Sequence, residues 1–153
     1  KLTGEEWTIM KTHARLGCEA IEQAERDAEG PVAFLTVAKQ IALYHHEKWD
    51  GSGYPEGLAG EAIPVAARLM ALADVFDALI SRRAYKEPLP LDKAIRIIEE
   101  GRGSHFDPDI VDAFLVLRDE FAAIAQRYAD HEDDLRAKQA QRYGVAALSL
   151  RET

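Results

Sequence analysis

Residues 69–80, LMALADVFDALI, are the stretch that most limits how this chain can fold. They are apolar on every side of a helix except at Asp74 and Asp77, and a helix without a polar face belongs at the centre of a domain. Pro64 favours a helix start, so we expect a buried helix from Pro64 to about Arg82. The two acids need an explanation, because burying an isolated carboxylate is costly unless it pairs or binds a cation.

The remaining pattern predicts further helices. Thr3 followed by Glu6 matches a capping box, and apolar residues recur at helical spacing after it, so a first helix is expected over residues 4–27. Three more helical segments are predicted: residues 31–47, residues 91–100 and a long final segment that begins at Pro108. No segment has the character of a strand, so the fold class is all-α, a compact bundle of about five helices.

The pattern also divides the chain. After Tyr128 it dilutes into charged and glutamine-rich sequence. Residues 1–128 are therefore predicted to form the domain, and residues 129–153 to form a C-terminal helical extension or linker.

Composition excludes several classes of protein. With 19 basic and 27 acidic residues the net charge is −8, which disfavours broad binding to nucleic acid or to an anionic membrane. Any phosphorylated ligand then needs local positive charge. No run approaches the ~18 apolar residues of a membrane span, and no signal peptide is recognisable. Because the lone Cys18 fits a reducing compartment, we expect a cytoplasmic domain.

Four ionisable side chains occupy helix positions that normally carry apolar residues: His13, His45, His46 and Asp74. Imidazoles and a carboxylate converging from three helices suit a transition metal, with Fe, Mn or Zn preferred over Mg or Ca. Two adjacent histidines on one helix point about 100° apart, which favours a centre with more than one ion. We interpret Asp77, and with it Asp50, as a group that orients a ligand rather than as a ligand.

The eleven residues 45–55, HHEKWDGSGYP, join the histidine pair to a loop, residues 48–63, that holds too many glycines and prolines for regular structure. This stretch resembles the signature of the HD-GYP family, an all-α branch of the HD superfamily whose known members are metal-dependent phosphodiesterases that hydrolyse cyclic di-GMP in bacterial signalling. The segments KLTGEEWTIMKTHARLG, ALADVFDALISRRAYK and GSHFDPDIVDAF look like further family segments in the same order. The likeness covers residues 1–121.

The resemblance implies that two or more divalent transition metal ions are bound by the four side chains named above. It implies that no protein nucleophile is needed, because metal-bound water attacks the phosphodiester to give pGpG or GMP. Arg83 and Lys86 would contact the phosphates or guanines of cyclic di-GMP, while Gly53, Tyr54 and Pro55 would shape the substrate pocket. An upstream receiver or sensory domain is an expected partner, and the sequence leaves a homodimer open.

Two features depart from the family pattern. The family's His-Asp pair, normally followed by Gly-Lys, lies upstream of the segment that begins this chain, and no His-Asp pair occurs in residues 1–153. We therefore expect that the chain is N-terminally incomplete, that it has weak or no turnover alone and that the upstream segment restores activity. In addition, Arg82 and Ala84 stand where the family often has Asp and Pro, which alters the charge and stiffness of a turn beside the pocket.

Three alternatives stay open. The first is a catalytically inactive cyclic-dinucleotide receptor or protein-interaction module with a degenerate site. The second is a phosphohydrolase of the HD type that acts on another cyclic dinucleotide or on a nucleotide. The third is a helical structural domain, since a single helix histidine is more often a hydrogen-bonded residue than a ligand; however, this alternative gives no reason for Asp74 inside an apolar helix.

Overall fold

The structure is a computed structural model that describes residues 3–27, 33–81 and 87–127. Its elements over these residues are α1 (Gly4–Asp27), α2 (Ala33–Tyr44), a short 3-10 helix (Gly60–Ala62), α3 (Val65–Ile80), α4 (Leu91–Glu100) and α5 (Pro108–Val116). Residues 118–127 are helical as well. The β-structure of the described residues is limited to isolated bridges between Asp50 and Ala59 and between Arg102 and Phe106. The predicted all-α class is confirmed.

The first helix has the bounds that its local sequence predicts. The Thr3 amide donates to Glu6 Oε2 at 2.7 Å, and the Glu6 amide donates to Thr3 Oγ1 at 3.2 Å. This reciprocal pair of hydrogen bonds is the predicted capping box, and it satisfies amides at the helix start that have no partner within the helix. A helix start that depends on neighbours in sequence is therefore readable from the sequence.

Helix α1 packs on α2 through small residues. Ala14 and Cys18 are buried, and a Cβ built on Gly17 would lie 3.6 Å from the Cβ of Ala42, which is ordinary contact distance. Because these side chains are short, the two helices approach closely. The face of α1 that carries His13 is thereby brought to the end of α2.

The hydrophobic core lies where α3, α4 and α5 meet. The buried residues of this core are Leu72, Phe76, Ala94, Ile98, Phe106, Val111 and Phe114. Phe76 and Phe114 pack edge to face with ring centroids 5.2 Å apart. The core therefore packs against one side of α3.

Helix α3 is less buried than its sequence predicts. Ala67, Ala71, Leu72 and Phe76 are buried, but Leu69 is 53% exposed and Met70 is 40% exposed. The expectation of a helix buried on all sides is wrong for the described part of the chain. Its neighbours α2, α4 and α5 cover only part of its surface.

A buried ion pair joins α3 to the segment before α5. Arg68 Nη1 donates to Asp107 Oδ2 at 2.6 Å, and Arg68 Nε donates to the Ile63 carbonyl at 2.8 Å. Asp107 Oδ1 in turn accepts from the Asp109 amide at 2.9 Å and so caps α5. The Arg68 guanidinium also lies 5.7 Å from the centroid of Trp49. These contacts fix the loop after α2 against the core.

Within the described ranges, no helix has both the length and the apolar character needed to cross a membrane.

Candidate metal centre

Three histidine side chains from two parts of the chain lie together. His13 comes from α1, and His45 and His46 come from the turn that follows α2. One ring nitrogen of each lies within 4.8 Å of the others. The ring centroids of His45 and His46 are 4.0 Å apart, and those of His13 and His46 are 4.8 Å apart. We refer to His13, His45 and His46 as the histidine cluster.

The histidine pair does not lie on a helix, and this corrects the sequence prediction. Helix α2 ends at Tyr44 rather than at Glu47. The His45 amide still donates to the Ile41 carbonyl at 3.1 Å, but the Glu47 amide donates to Tyr44 at 2.9 Å in a tight turn. The prediction that both histidines lie on α2 is therefore wrong, because the chain leaves the helical path after Tyr44.

Backbone carbonyls fix the tautomers of two cluster histidines. His13 Nδ1 lies 2.6 Å from the Met10 carbonyl, and His45 Nδ1 lies 2.8 Å from the Ile41 carbonyl. A carbonyl oxygen only accepts hydrogen bonds, so each Nδ1 is a donor, and in the neutral form of these rings Nε2 is the nitrogen with the lone pair. Metal-binding histidines are typically oriented in this way, by a hydrogen bond from the nitrogen that does not bind the metal.

The third histidine lies at ligand spacing from the first. His46 Nε2 is 3.0 Å from His13 Nε2. This spacing suits a hydrogen bond in which His46 donates, and it also suits a shared ion, since two nitrogens bound at about 2.1 Å and at right angles lie about 3 Å apart. Burial lowers the pKa of His46 to about 4, and the neighbouring His45 and His13 act in the same direction. His46 is thus neutral at neutral pH, the form that binds a metal. The donor set of the cluster therefore fits a nitrogen-preferring metal ion.

Asp74 lies near the cluster but is not one of its close members. It is half-buried on α3 and falls outside the group of ring nitrogens within 4.8 Å of one another. Its charge nevertheless acts on the same space, because it opposes the lowering of the His46 pKa and adds to the effect of burial in raising the pKa of Tyr54. Of the four side chains expected to converge, the structure brings three together and places the fourth within electrostatic range.

The glycine-rich loop lies directly on the backbone of the histidine turn. The Tyr54 amide donates to the His46 carbonyl at 3.2 Å, and the Tyr54 ring stacks on the His46 ring with centroids 4.7 Å apart. A Cβ at Gly53 would lie 2.6 Å from the His46 carbonyl oxygen and would also collide with the backbone of Lys48. Only glycine permits this approach. The Tyr54–Pro55 peptide bond is cis.

The Glu47 carboxylate binds the backbone of the same loop, a role that the sequence did not lead us to expect. Its side chain is 2% exposed. Oε1 accepts the amides of Glu56 at 2.7 Å and Gly57 at 3.1 Å, and Oε2 accepts the amide of Leu58 at 3.1 Å. Three donors compensate the cost of burying the carboxylate. The position of Glu47 in the sequence, between the histidine pair and the glycine-rich loop, was the one indication of this role.

His105 is a second residue near the cluster that the sequence reasoning missed. It is half-buried, and its ring stacks on Phe106 with centroids 4.2 Å apart. Burial lowers the pKa of His105, and the Lys48 ammonium lowers it further. Since a charge on His105 also lowers the pKa of His46, the two rings lie within electrostatic range of each other. The sequence did indicate His105, because it lies in GSHFDP, part of a segment that resembles the family.

The other predicted site residues take local roles or lie outside the described residues. Asp50 Oδ1 accepts the Ser52 amide at 2.9 Å, and hydrogen bonds from the side chain and then the amide of Ser52 lower the pKa of Asp50. Asp77 Oδ1 accepts from Ser81 Oγ at 2.8 Å at the end of α3. Among the described residues, neither carboxylate has a hydrogen bond to a cluster histidine. Four residues discussed above fall outside the described ranges: Arg82, Arg83, Ala84 and Lys86.

The chain matches known proteins over most of its length. A probable cyclic di-GMP phosphodiesterase of Vibrio cholerae is 58% identical over 132 residues, which are 86% of this chain and 30% of that protein. The cyclic di-GMP phosphodiesterase response regulator RpfG of Xanthomonas campestris is 46% identical over 129 residues, 84% of this chain and 32% of that protein. The 3'3'-cGAMP-specific phosphodiesterase 2 of Vibrio cholerae is 42% identical over 130 residues, 85% of this chain and 24% of that protein. The chain thus spans about a third or less of these curated relatives.

The family match covers the elements that form the site. A family profile described as HD domain matches residues 1–110. These residues include α1 with His13, the histidine turn, the glycine-rich loop and α3. The chain therefore belongs to the HD domain family, and the resemblance to the HD-GYP branch that its signature indicated is confirmed.

Proposed function

We propose that this chain forms part of a metal-dependent phosphodiesterase that hydrolyses cyclic di-GMP to pGpG or GMP in bacterial second-messenger signalling. The observation that carries the proposal is the histidine cluster, in which ring nitrogens of three imidazoles lie within 4.8 Å of one another and two of the rings donate from Nδ1 to backbone carbonyls. Relatives that are named cyclic di-GMP phosphodiesterases support the choice of substrate.

The proposed ligands are the three cluster histidines, with Asp74 adding a carboxylate from α3. Imidazole-rich sites suit Fe, Mn or Zn, and we propose two or more such divalent ions. When bound, the ions supply a Lewis acid that activates water and neutralises charge on the phosphodiester. Residues 1–153 contain no His-Asp pair. The ligands that the resemblance assigns to that pair would come from other residues.

Backbone and side-chain groups of the chain position the proposed ligands. The backbone carbonyls of Met10 and Ile41 hold the rings of His13 and His45, and the stacked Tyr54 ring holds His46. Asp77 and Asp50 would act only indirectly, through the end of α3 and the loop. Arg83 and Lys86 would supply positive charge to the substrate phosphates, which a chain of net charge −8 provides only locally.

The direct test is hydrolysis of cyclic di-GMP by the full-length protein with Mn²⁺ or Fe²⁺, with the products separated by chromatography. We expect pGpG or GMP from the wild type and at least about a 100-fold loss of rate in His46→Gln, because a metal ligand is removed. His105→Gln is the matched control, since this half-buried ring contributes no nitrogen to the cluster. Wild-type turnover by His46→Gln would contradict the proposal. Full turnover by residues 1–153 alone would contradict the expectation that other residues complete the centre.

Two alternatives give different results in the same assay. A relative that is 42% identical is named 3'3'-cGAMP-specific, so the substrate panel includes 3'3'-cGAMP, and we expect a higher kcat/KM for cyclic di-GMP. Tight binding of cyclic di-GMP without product, together with less than about one bound ion per chain, would favour the inactive receptor.

The setting of the domain in the cell is also part of the proposal. The Xanthomonas campestris relative is named a response regulator, which supports a receiver or sensory domain as the partner that controls activity. A homodimer is compatible with this arrangement. We propose the cytoplasm as the location, in keeping with the lone Cys18.

A further inference from the structure

An exposed aromatic side chain lies beside the histidine cluster. Trp7 on α1 is 48% exposed. Its ring packs edge to face against Tyr54, with centroids 6.3 Å apart and planes at 78°. Tyr54 in turn stacks on His46 at 4.7 Å. The three rings form a continuous series from the cluster to the surface, which a role in the core does not explain because half of the indole faces solvent.

A lysine lies along the same helix face. Lys11 is four residues from Trp7, and its Nζ lies 5.8 Å from the centroid of the Tyr54 ring, within the range of a cation–π contact. Arg15, one turn further, pairs with Glu56 at 2.7 Å. In the part of the chain that the structure describes, Lys11 has no such carboxylate partner. Its charge is therefore available to an anion beside the cluster.

We propose that Trp7, Lys11 and Tyr54 form a subsite for one purine nucleotide unit of the substrate. In this subsite the base stacks on the exposed indole, and the Lys11 ammonium contacts a phosphate. The adjacent phosphodiester then reaches the histidine cluster past Tyr54. This inference rests on the proposed function, and it assigns to α1 a role in substrate binding in addition to the metal ligand His13.

The chemistry of the surface favours a nucleotide over another segment of protein. The base of a purine nucleotide has a flat face that stacks on an indole, and its phosphate is a negatively charged partner for the Lys11 ammonium. The two features lie together at the edge of a cluster suited to metal-assisted hydrolysis of a phosphodiester. In a chain of net charge −8, an available lysine at this place attracts an anion that the rest of the surface repels.

The test measures KM and kcat of the full-length protein for cyclic di-GMP in Trp7→Leu, Trp7→Phe and Lys11→Gln. Leucine keeps an apolar contact with Tyr54 but removes the stacking face, so we expect KM to rise about tenfold. We expect Phe to restore most of the loss, and Lys11→Gln to raise KM and weaken its dependence on salt. Bound metal and kcat should change little. Ile9→Ala is the matched control, because Ile9 lies on the same helix and is 69% exposed.

The outcomes separate the subsite from the proposed function. A wild type that neither binds nor hydrolyses cyclic dinucleotides would overturn both. If the wild type is active, a KM of Trp7→Leu within about twofold of wild type would overturn the subsite alone. If the rise in KM of Trp7→Leu is accompanied by reduced metal content or by unfolding, the subsite would also be overturned, since the indole would then act by stabilising the structure rather than by stacking on a base.

Fluorescence gives an independent readout. The chain contains two tryptophans, Trp7 and Trp49, so Trp49→Phe leaves Trp7 as the only indole in residues 1–153. We expect GMP to quench its emission saturably, because a stacked base contacts the indole, and ribose 5-phosphate, which lacks a base, to leave it unchanged. Equal quenching by GMP and by ribose 5-phosphate would overturn the subsite. The absence of quenching at GMP concentrations that inhibit the enzyme would overturn it as well.

Discussion

At the scale of single residues, the cluster depends on atoms that do not face the ligand. His13 and His45 donate from Nδ1 to the carbonyls of Met10 and Ile41, which leaves the Nε2 side of each ring for a ligand or for the neighbouring His46. Glu47 accepts three loop amides from a position adjacent to His46. The loop and the histidine turn are thus held by one buried carboxylate.

Replacing Glu47 by glutamine tests this arrangement. An amide removes the negative charge and presents a donor to at least one backbone N–H, so we expect the free energy of unfolding to fall by about 2 kcal/mol. Urea denaturation of residues 1–153 measures the change. Glu61→Gln is the control, because Glu61 lies in the same loop region and is exposed. Equal midpoints for the two variants would show that the carboxylate does not hold the loop.

His105 predicts a pH dependence of stability. Burial lowers its pKa below the usual 6.5 in the folded protein, so the unfolded chain binds more protons just below that pH. The free energy of unfolding therefore falls as the pH drops below 6.5 through the lowered pKa, and this contribution is fully present only above the unfolded pKa. We expect urea titrations with EDTA to show a steeper decline for wild type than for His105→Gln. If the stability of wild type and of His105→Gln falls equally with pH, the prediction that burial lowers the pKa of His105 is wrong.

At the scale of elements, the sequence predicts what is decided locally and fails where distant contacts decide. The start of α1 follows from Thr3 and Glu6, three residues apart, and was predictable. The end of α2 was not, because Gly53 and Tyr54 pack on the backbone of the histidine turn and stop the helix at Tyr44. Likewise the exposure of Leu69 depends on which neighbours cover α3, and apolar character alone does not show this.

The ion pair that joins α3 to α5 is expected to contribute much more to stability than an exposed pair. The side chains of Arg68 and Asp107 are 18% and 5% exposed, whereas those of Arg102 and Asp112 are 46% and 56% exposed. We expect Arg68→Ala to lower the free energy of unfolding by about 3 kcal/mol, because it leaves a buried carboxylate unpaired. The Arg102→Ala control should lower it much less, because water screens this exposed pair. Double-mutant cycles in urea measure both coupling energies, and similar values would contradict this expectation.

At the scale of the whole molecule, the family, the all-α class and the proximity of three histidines all agree with what the sequence predicts. The signature in residues 45–55 identified the family from the sequence, and the family profile over residues 1–110 supports the same assignment. The position of Asp74 outside the close cluster was not predictable from helix periodicity, because periodicity gives a face but not a distance. The chain spans 30% of the Vibrio cholerae relative that it matches at 58% identity.

The most direct test of the central claim is the metal content of the full-length protein after removal of free ions, measured by plasma emission spectrometry. The wild type and the His105→Gln control should retain at least about one divalent transition metal ion per chain, whereas His13→Ala, His45→Ala and His46→Ala in combination should lose the ions held by the cluster. Equal metal content in the triple variant and the wild type would contradict the account, since it would show that these imidazoles do not bind the ions.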